Sequence, residues 1–83
     1  MEKVIQNIAL KKTIEASELR KNDMCIIKNK IYKITSIWVI RSTTRYNKLC
    51  FILYCEEDKS KIDIIYPEIL QLELDENSYV KII

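Results

Sequence analysis

The residues of this chain that could do chemistry are mostly cations, and they are concentrated in its first two thirds. Residues 1–55 hold eleven Lys and Arg against four acids, whereas residues 56–83 hold three against eight. Between Arg20 and Lys48 there are eight basic side chains and a single acid, Asp23. Because each cation that neutralises a phosphate releases a condensed counterion, such a segment favours nucleic-acid binding. A solvated surface has the same pattern, and charge alone leaves both interpretations open.

The densest candidate site is the polar segment 41–48, which reads R-S-T-T-R-Y-N-K. Arg can donate two parallel hydrogen bonds to a phosphate, Lys acts as a point charge, and Ser and Thr hydroxyls also bind the sugar–phosphate backbone. Tyr46, beside Arg45, could stack on a nucleobase or fold back as an anchor of the loop. The residues predicted to bind RNA or the ribosome are Arg20, Lys21, Arg41, Ser42, Thr43, Thr44, Arg45, Tyr46 and Lys48.

The residues that the chain lacks exclude most kinds of catalytic site. It has no glycine and no histidine. A glycine-rich phosphate loop, a nucleophile elbow, a His-containing triad and a His metal site are therefore excluded. Glu56, Glu57 and Asp58 are consecutive acids, which is typical of a solvated turn, and no nucleophile–base pair accompanies them. We predict no enzymatic activity, no metal, no cofactor and no small-molecule substrate.

The three cysteines, Cys25, Cys50 and Cys55, fit no metal-binding spacing and lie in apolar runs. They are predicted to be reduced thiols packed as small hydrophobes, as in a reducing compartment. Residues 1–15 carry five charges, and no apolar run approaches the roughly 18 residues of a membrane span. The prediction is a cytoplasmic protein without membrane contact.

The apolar pattern predicts strands rather than helices from residue 24 onward. Runs rich in branched and aromatic residues alternate with polar breaks, and they cover 24–28, 31–40, 48–55, 61–66, 70–74 and 79–83. Five or six short strands predict an all-β fold, a small antiparallel barrel or sandwich.

Asn29 stands at a tight turn and can adopt the positive φ usual for glycine. The strand aromatics, Trp38 included, are predicted to pack in the core. Residues 1–12 fit either a short helix or an extended tail.

Two motifs give the chain a resemblance to a known family. Residues 17–33 read S-E-L-R-K-N-D-M-C-I-I-K-N-K-I-Y-K, and residues 63–67 read D-I-I-Y-P. The first looks like the opening of the amino-terminal domain of the hypusine-containing translation factor 5A family, whose bacterial relative is elongation factor P. The second is similar to the E-D-I-C-P segment of that family. The resemblance covers about residues 13–75 and implies a small SH3-like (KOW-type) barrel of mostly antiparallel strands.

The resemblance also implies a role in translation, but this sequence lacks the residue on which the family's role depends. In that family the barrel lies near the peptidyl transferase centre, where a hairpin-loop lysine modified to hypusine reaches the acceptor end of the peptidyl-tRNA. That lysine aligns here with Thr44, or with Arg45 if the gap is placed earlier. Neither residue has the lysine amine to which the aminobutyl group is attached, and Lys48 matches a position that the family does not modify. The glycines and histidines that flank the family's lysine are missing as well.

The sequence therefore predicts a translation factor 5A-like protein that binds the ribosome, rRNA or tRNA through a basic hairpin loop and is not hypusinated. Its predicted organisation is an amino-terminal lead-in, 1–16, and a single β-barrel domain, 17–83, without the second, OB-fold domain of the family. The alternative hypothesis is a KOW/SH3-like protein-interaction module without RNA binding, favoured by the acidic region 56–83, which would repel phosphate. The sequence is also compatible with a dimer that forms through an edge strand of the sheet.

Overall fold

The structure, a computed structural model, describes residues 12–43 and 45–82, and nearly all of its regular structure is β-strand. The strands are β1 Thr13–Glu15, β2 Met24–Ile27, β3 Lys30–Ile40, β4 Lys48–Tyr54, β5 Lys61–Pro67, β6 Gln71–Glu73 and β7 Val80–Lys81. A single 3-10 turn, Ala16–Glu18, follows β1 within these ranges. The all-β prediction is confirmed, and each of the six predicted strands overlaps an observed one. The open question of residues 1–12 lies almost wholly outside the described residues.

The main sheet has five strands in the order β5-β4-β3-β2-β7. Its pairings are antiparallel except for the parallel pairing of β2 with β7, where Cys25 lies opposite Val80. Strands β1 and β6 form a second, two-stranded antiparallel sheet, and a bridge between Leu74 and Val80 connects it to β7. The main sheet curls into a half-barrel, which is the small SH3-like fold that the sequence predicts.

The core lies on the concave side of this half-barrel. Ile34 and Leu53, which are paired across β3 and β4, are completely buried together with Cys25 and Cys55. All three cysteines are free thiols, and Cys50 is only half-buried. The strand predicted for the segment 70–74 is confirmed, and its apolar and polar residues alternate, because Leu72 is buried while its neighbours Gln71 and Glu73 are exposed.

The end of the predicted lead-in packs with the barrel. Thr13–Glu15 pairs with β6, and the Ala16 N–H donates to the Leu70 carbonyl at 2.8 Å. Ala16 is fully buried. The cap of the following turn is Glu15, because the Glu15 N–H donates to the Glu18 carboxylate at 3.0 Å. The boundary between 1–16 and 17–83 stays a prediction.

The turns adopt left-handed backbone conformations without any glycine. Positive φ angles occur within the described ranges at Asn22, Lys28, Asn29, Lys59 and Ser78. The turn between β2 and β3 has φ 48° at Lys28 and 67° at Asn29, and two successive positive φ angles are typical of a type I′ hairpin turn. The predicted use of Asn29 in place of glycine is therefore confirmed. The two Lys residues have no side-chain feature that favours this conformation.

A β-bulge in β3 reverses which side chains face the core. Ile34 pairs with Leu53 and Ser36 with Ile52, so Thr35 is the extra residue. The Thr35 hydroxyl donates to the Ile52 carbonyl at 3.2 Å. Because side chains alternate along a strand, one extra residue moves the following ones to opposite faces. The prediction that Trp38 packs in the core is wrong, since its side chain lies on the outer face and is 62% exposed.

Candidate nucleic-acid interface

The predicted RNA-binding loop connects β3 to β4, and Asn47 fixes its base. The Asn47 side-chain oxygen accepts a hydrogen bond from the Ser42 N–H at 3.4 Å. The Asn47 N–H donates to the Glu68 carboxylate at 3.1 Å, and its carbonyl accepts from the Glu68 N–H at 3.1 Å. These contacts fasten the loop to the connection between β5 and β6, so the loop leaves the barrel from a defined position.

The side chains of the loop are mostly in solvent. Arg41, Thr43 and Arg45 are exposed, and neither arginine has an ion-pair partner among residues 12–43 and 45–82. Tyr46 is 38% exposed, which leaves part of its ring accessible. Ser42 is half-buried. Thr44, which the sequence predicts as a site residue, lies outside the described residues. Two unpaired guanidinium groups on one loop form a surface suited to phosphates.

The hairpin that carries this loop extends beyond the core. Trp38 and Val39 are consecutive and point to opposite faces of β3, yet they are 62% and 60% exposed. A strand with solvent on both faces is not covered by the rest of the barrel. Lys48 is paired with Ile40 at the base of the loop and is also exposed. The arginines are thus held at the end of a two-stranded projection.

The two upstream cations lie in a different segment, between the 3-10 turn and β2. The Arg20 guanidinium donates to the carbonyls of Ser17 and Leu19 at 3.1 and 3.0 Å, so part of its bonding capacity supports the local backbone. Lys21 is exposed. The Ser17 N–H donates to the carbonyl of Glu68, the residue that also binds Asn47. Glu68 therefore connects the segment that carries Arg20 and Lys21 to the base of the loop.

A carboxylate–ammonium pair lies at the other end of β4. The Lys30 ammonium donates to the Asp58 carboxylate, which also accepts the Ser60 N–H at 3.0 Å. The hydrogen bond from Lys30 holds the pKa of Asp58 well below its usual range and raises the pKa of Lys30. Glu56 and Glu57 are exposed in the same turn. The solvated acidic turn predicted from the sequence is confirmed, and its charge is remote along β4 from the loop.

The outer face of the sheet holds a groove beside the hairpin, which the sequence interpretation missed. It has a volume of about 720 Å³ and crosses β3, β4 and β5. Its floor is formed by Cys50 and Ile52, one wall by Trp38 and Ile40, and the other by Lys61 and Asp63. No sequence pattern marked the wall formed by Trp38 and Ile40, because the position of these two side chains on the outer face depends on the bulge at Thr35.

The described residues form neither a cluster of metal-binding side chains nor a membrane-spanning helix. Within the described ranges, no three His, Cys, Asp or Glu side chains come together as a metal site. No helix formed by these residues is long and apolar enough to cross a membrane.

Comparison with known proteins gives a structural match. No family model and no curated protein matches the sequence. Sixteen chains of solved structures match the fold. One of them is a translation initiation factor eIF-5A family protein from Naegleria fowleri, with a TM-score of 0.61 and 14% sequence identity over 82% of this chain. This chain spans 63% of that protein. The predicted resemblance to the translation factor 5A family is thereby confirmed at the level of the fold.

Proposed function

We propose that this chain is a translation factor 5A-like protein that binds the ribosome through the loop between β3 and β4, without hypusine. The observation that carries the proposal is the projecting hairpin of a 5A-like fold, which presents Arg41 and Arg45 to solvent with no ion-pair partner among the described residues. In the family that the sequence resembles, the loop at this place is the one that reaches the tRNA.

The contacts at the base of the loop support a positioning role for the hairpin. Asn47 is bound by Ser42 on one side and by Glu68 on the other, so little loop freedom is lost on binding. Arg41 and Arg45 would each contact an rRNA or tRNA phosphate through paired N–H groups, and Lys48 would add a point charge. Thr43 would bind the sugar–phosphate backbone through its hydroxyl. Lys21 and the remaining donors of Arg20 would contact a neighbouring phosphate.

The loop cannot supply the chemistry of a modified lysine. The positions that align with the hypusine site are Thr44 and Arg45, and neither carries a primary amine. The protein would therefore occupy its ribosomal site without extending an aminobutyl group toward the peptidyl-tRNA. Cytoplasmic location and the absence of an enzymatic reaction belong to the same proposal.

The first test is co-sedimentation with ribosomes of the source cell at low and high salt. We expect binding at low salt, loss of binding in the double variant Arg41→Glu/Arg45→Glu, and retention in the control Lys12→Glu/Lys59→Glu. The two variants change the net charge equally, but Lys12 and Lys59 lie outside the hairpin. Each lost phosphate contact should also reduce the slope of log affinity against log salt by about 0.7–0.9. Absence of ribosome binding in both salt conditions would contradict the proposal.

The second test is mass spectrometry of the protein isolated from its own cells. We expect every lysine to have an unmodified mass. A mass increase of the hypusine kind on any lysine, Lys48 included, would contradict the unmodified state while leaving ribosome binding in place.

The sedimentation experiment also decides between this function and a protein-interaction module. If the charge-reversed loop variant binds ribosomes as well as the control does, the arginines contact no phosphate. The fold would then serve protein recognition, as KOW- and SH3-like domains do in the alternative hypothesis.

A further inference from the structure

We propose that the groove on the outer face of the sheet is a second contact site for single-stranded RNA, in which a nucleobase stacks on Trp38. The inference rests on the proposed function, because it extends RNA contact from the loop to the adjoining sheet. Three features of the groove support it: the orientation of Trp38, the chemistry of the opposite wall, and the charge around the rim.

The first feature is the exposed indole. Thr35 is inserted in β3, and this bulge turns Trp38 away from the core and leaves it 62% exposed. Trp38 is paired with Cys50, whose small side chain forms the floor beside it. A large ring next to a small neighbour leaves room for a flat partner against its face. Base–aromatic stacking accepts any base, because each has a π face.

The second feature is the opposite wall. Lys61, Asp63 and Ile65 occupy every second position of β5 and therefore project from the same, exposed face. The side chains of Lys61 and Asp63 have no hydrogen-bond or ion-pair partner in the part of the chain that the structure describes. A free carboxylate can accept a hydrogen bond from the exocyclic amine of a base such as cytosine. A free ammonium can bind the adjacent phosphate.

The third feature is the charge around the rim, which selects RNA over another protein surface. Lys48 lies on the same face as Cys50 and Ile52, since side chains alternate along β4. Lys61 lies on this face at the other end of β5's groove-lining segment. Lys48 and Lys61 therefore flank the groove, and Asp63 is the one acid among its lining residues. This excess of cations over acids around the groove is complementary to the sugar–phosphate backbone of an RNA strand that also contacts the loop.

The apolar residues of this face act as the floor of the site. Ile65 is 53% exposed and is paired with Cys50 on the side away from Trp38. Ile40 and Ile52 line the groove, and Ile65 lies beside it on the same face, so a bound base would have an apolar surround while the cations remain at the edges. Binding sites for single-stranded nucleic acid combine aromatic platforms and cationic grooves in this way.

The experiment uses the intrinsic fluorescence of Trp38, the one tryptophan of the chain. A short fluorescein-labelled oligocytidylate is titrated into the full chain, with affinity measured by anisotropy; an unlabelled oligomer is used to follow Trp emission. We expect quenching of Trp38 on binding, because a stacked base quenches indole emission. Trp38→Ala should weaken binding about 5- to 100-fold, and Trp38→Phe should restore most of the affinity.

The matched control is Val39→Ala. Val39 is the next residue of β3, is 60% exposed and points to the opposite face, so its truncation should leave RNA affinity unchanged. Equal affinities of the Trp38→Ala and Val39→Ala variants would overturn the groove proposal. Failure to quench Trp38 at saturating RNA would do the same. If Trp38→Ala instead abolishes self-association measured by sedimentation velocity, the face binds a second copy and the RNA site is refuted.

The loop variant separates this inference from the proposed function. If Arg41→Glu/Arg45→Glu loses ribosome binding while the variant at Trp38 keeps full RNA affinity, the function stands and the groove site fails. If the wild-type chain ignores ribosomes but oligocytidylate still quenches Trp38, the groove site stands and the ribosomal function fails.

Discussion

Replacing Lys59 by glycine should stabilise this protein, although most glycine substitutions in turns destabilise. Lys59 is in the turn between β4 and β5 with φ 62°, in the left-handed region. A residue with a Cβ loses about 1–2 kcal/mol in that conformation. Glycine avoids this cost, but its greater conformational freedom in the unfolded chain destabilises the folded protein by about 0.5–1 kcal/mol. The difference leaves a net gain for Lys59→Gly between 0 and about 1.5 kcal/mol, with a central value of about 0.75 kcal/mol.

Glu57→Gly is the matched control in the same turn. Glu57 is exposed and is not among the residues with positive φ. Both substitutions raise the entropy of the unfolded chain equally, so this contribution cancels when the two variants are compared. The remaining difference is the strain at Lys59, about 1–2 kcal/mol. The Ser60 N–H to Asp58 carboxylate hydrogen bond stays available in both variants, because neither substitution removes its partners.

Thermal denaturation and urea denaturation, each followed by circular dichroism, measure the stability of both variants. A domain of this size shifts its Tm by about 4–8 °C per kcal/mol, so the two melting temperatures should differ by at least about 4 °C, with Lys59→Gly higher. The m-value should stay constant, which shows that the unfolded ensembles are comparable. Equal loss of stability in the two variants would refute the assignment of backbone strain to Lys59.

Three further predictions follow from the core. Leu53→Ala should lower the free energy of unfolding by about 2–5 kcal/mol in urea titrations, because Leu53 is completely buried. Burial, with a smaller contribution from the Asp23 charge, raises the pKa of Cys25 from 9.0 to about 12. Stability should therefore be intact below pH 9, and this thiol should lower it above pH 9 by up to about 1.4 kcal/mol per pH unit. Cys25→Ala should make the decline shallower, and the part that comes from the raised pKa of the half-buried Tyr66 should remain. A thiol reagent should modify Cys50 faster than the buried Cys25 and Cys55, and Cys50→Ser should abolish the fast phase.

The strands and tight turns could be predicted because they depend on local residues. Asn29 predicted the turn between β2 and β3, since Asn adopts positive φ more readily than most residues. The alternation from Leu70 to Leu74 predicted a half-buried strand, and Leu72 is the buried residue at its centre. In both places the local preference and the tertiary structure agree, so neighbouring residues were sufficient.

The amino-terminal strand, the turn after it and the anchor of the loop could not be predicted from neighbouring residues. Thr13–Glu15 is too short to show a period, and it becomes a strand because β6 pairs with it. Ala16 and Leu19 are buried in a segment that looks polar. Likewise, Asn47 anchors the loop through Glu68, a residue twenty-one positions later. Such contacts depend on the folded chain and leave no pattern in the local sequence.

The bulge at Thr35 had the largest effect on the interpretation of the site. With uninterrupted alternation, Tyr32 and Ile34 in the core imply that Ser36, Trp38 and Ile40 face inward too. The structure instead turns Ile37 inward and Trp38 outward after the extra residue. If the bulge is ignored, the one tryptophan is expected in the core, and the loop between β3 and β4 is then the only candidate RNA-binding surface. With the bulge, the same strand contributes Trp38 to the groove and leads directly into Arg41, so a continuous RNA path becomes a physical proposal.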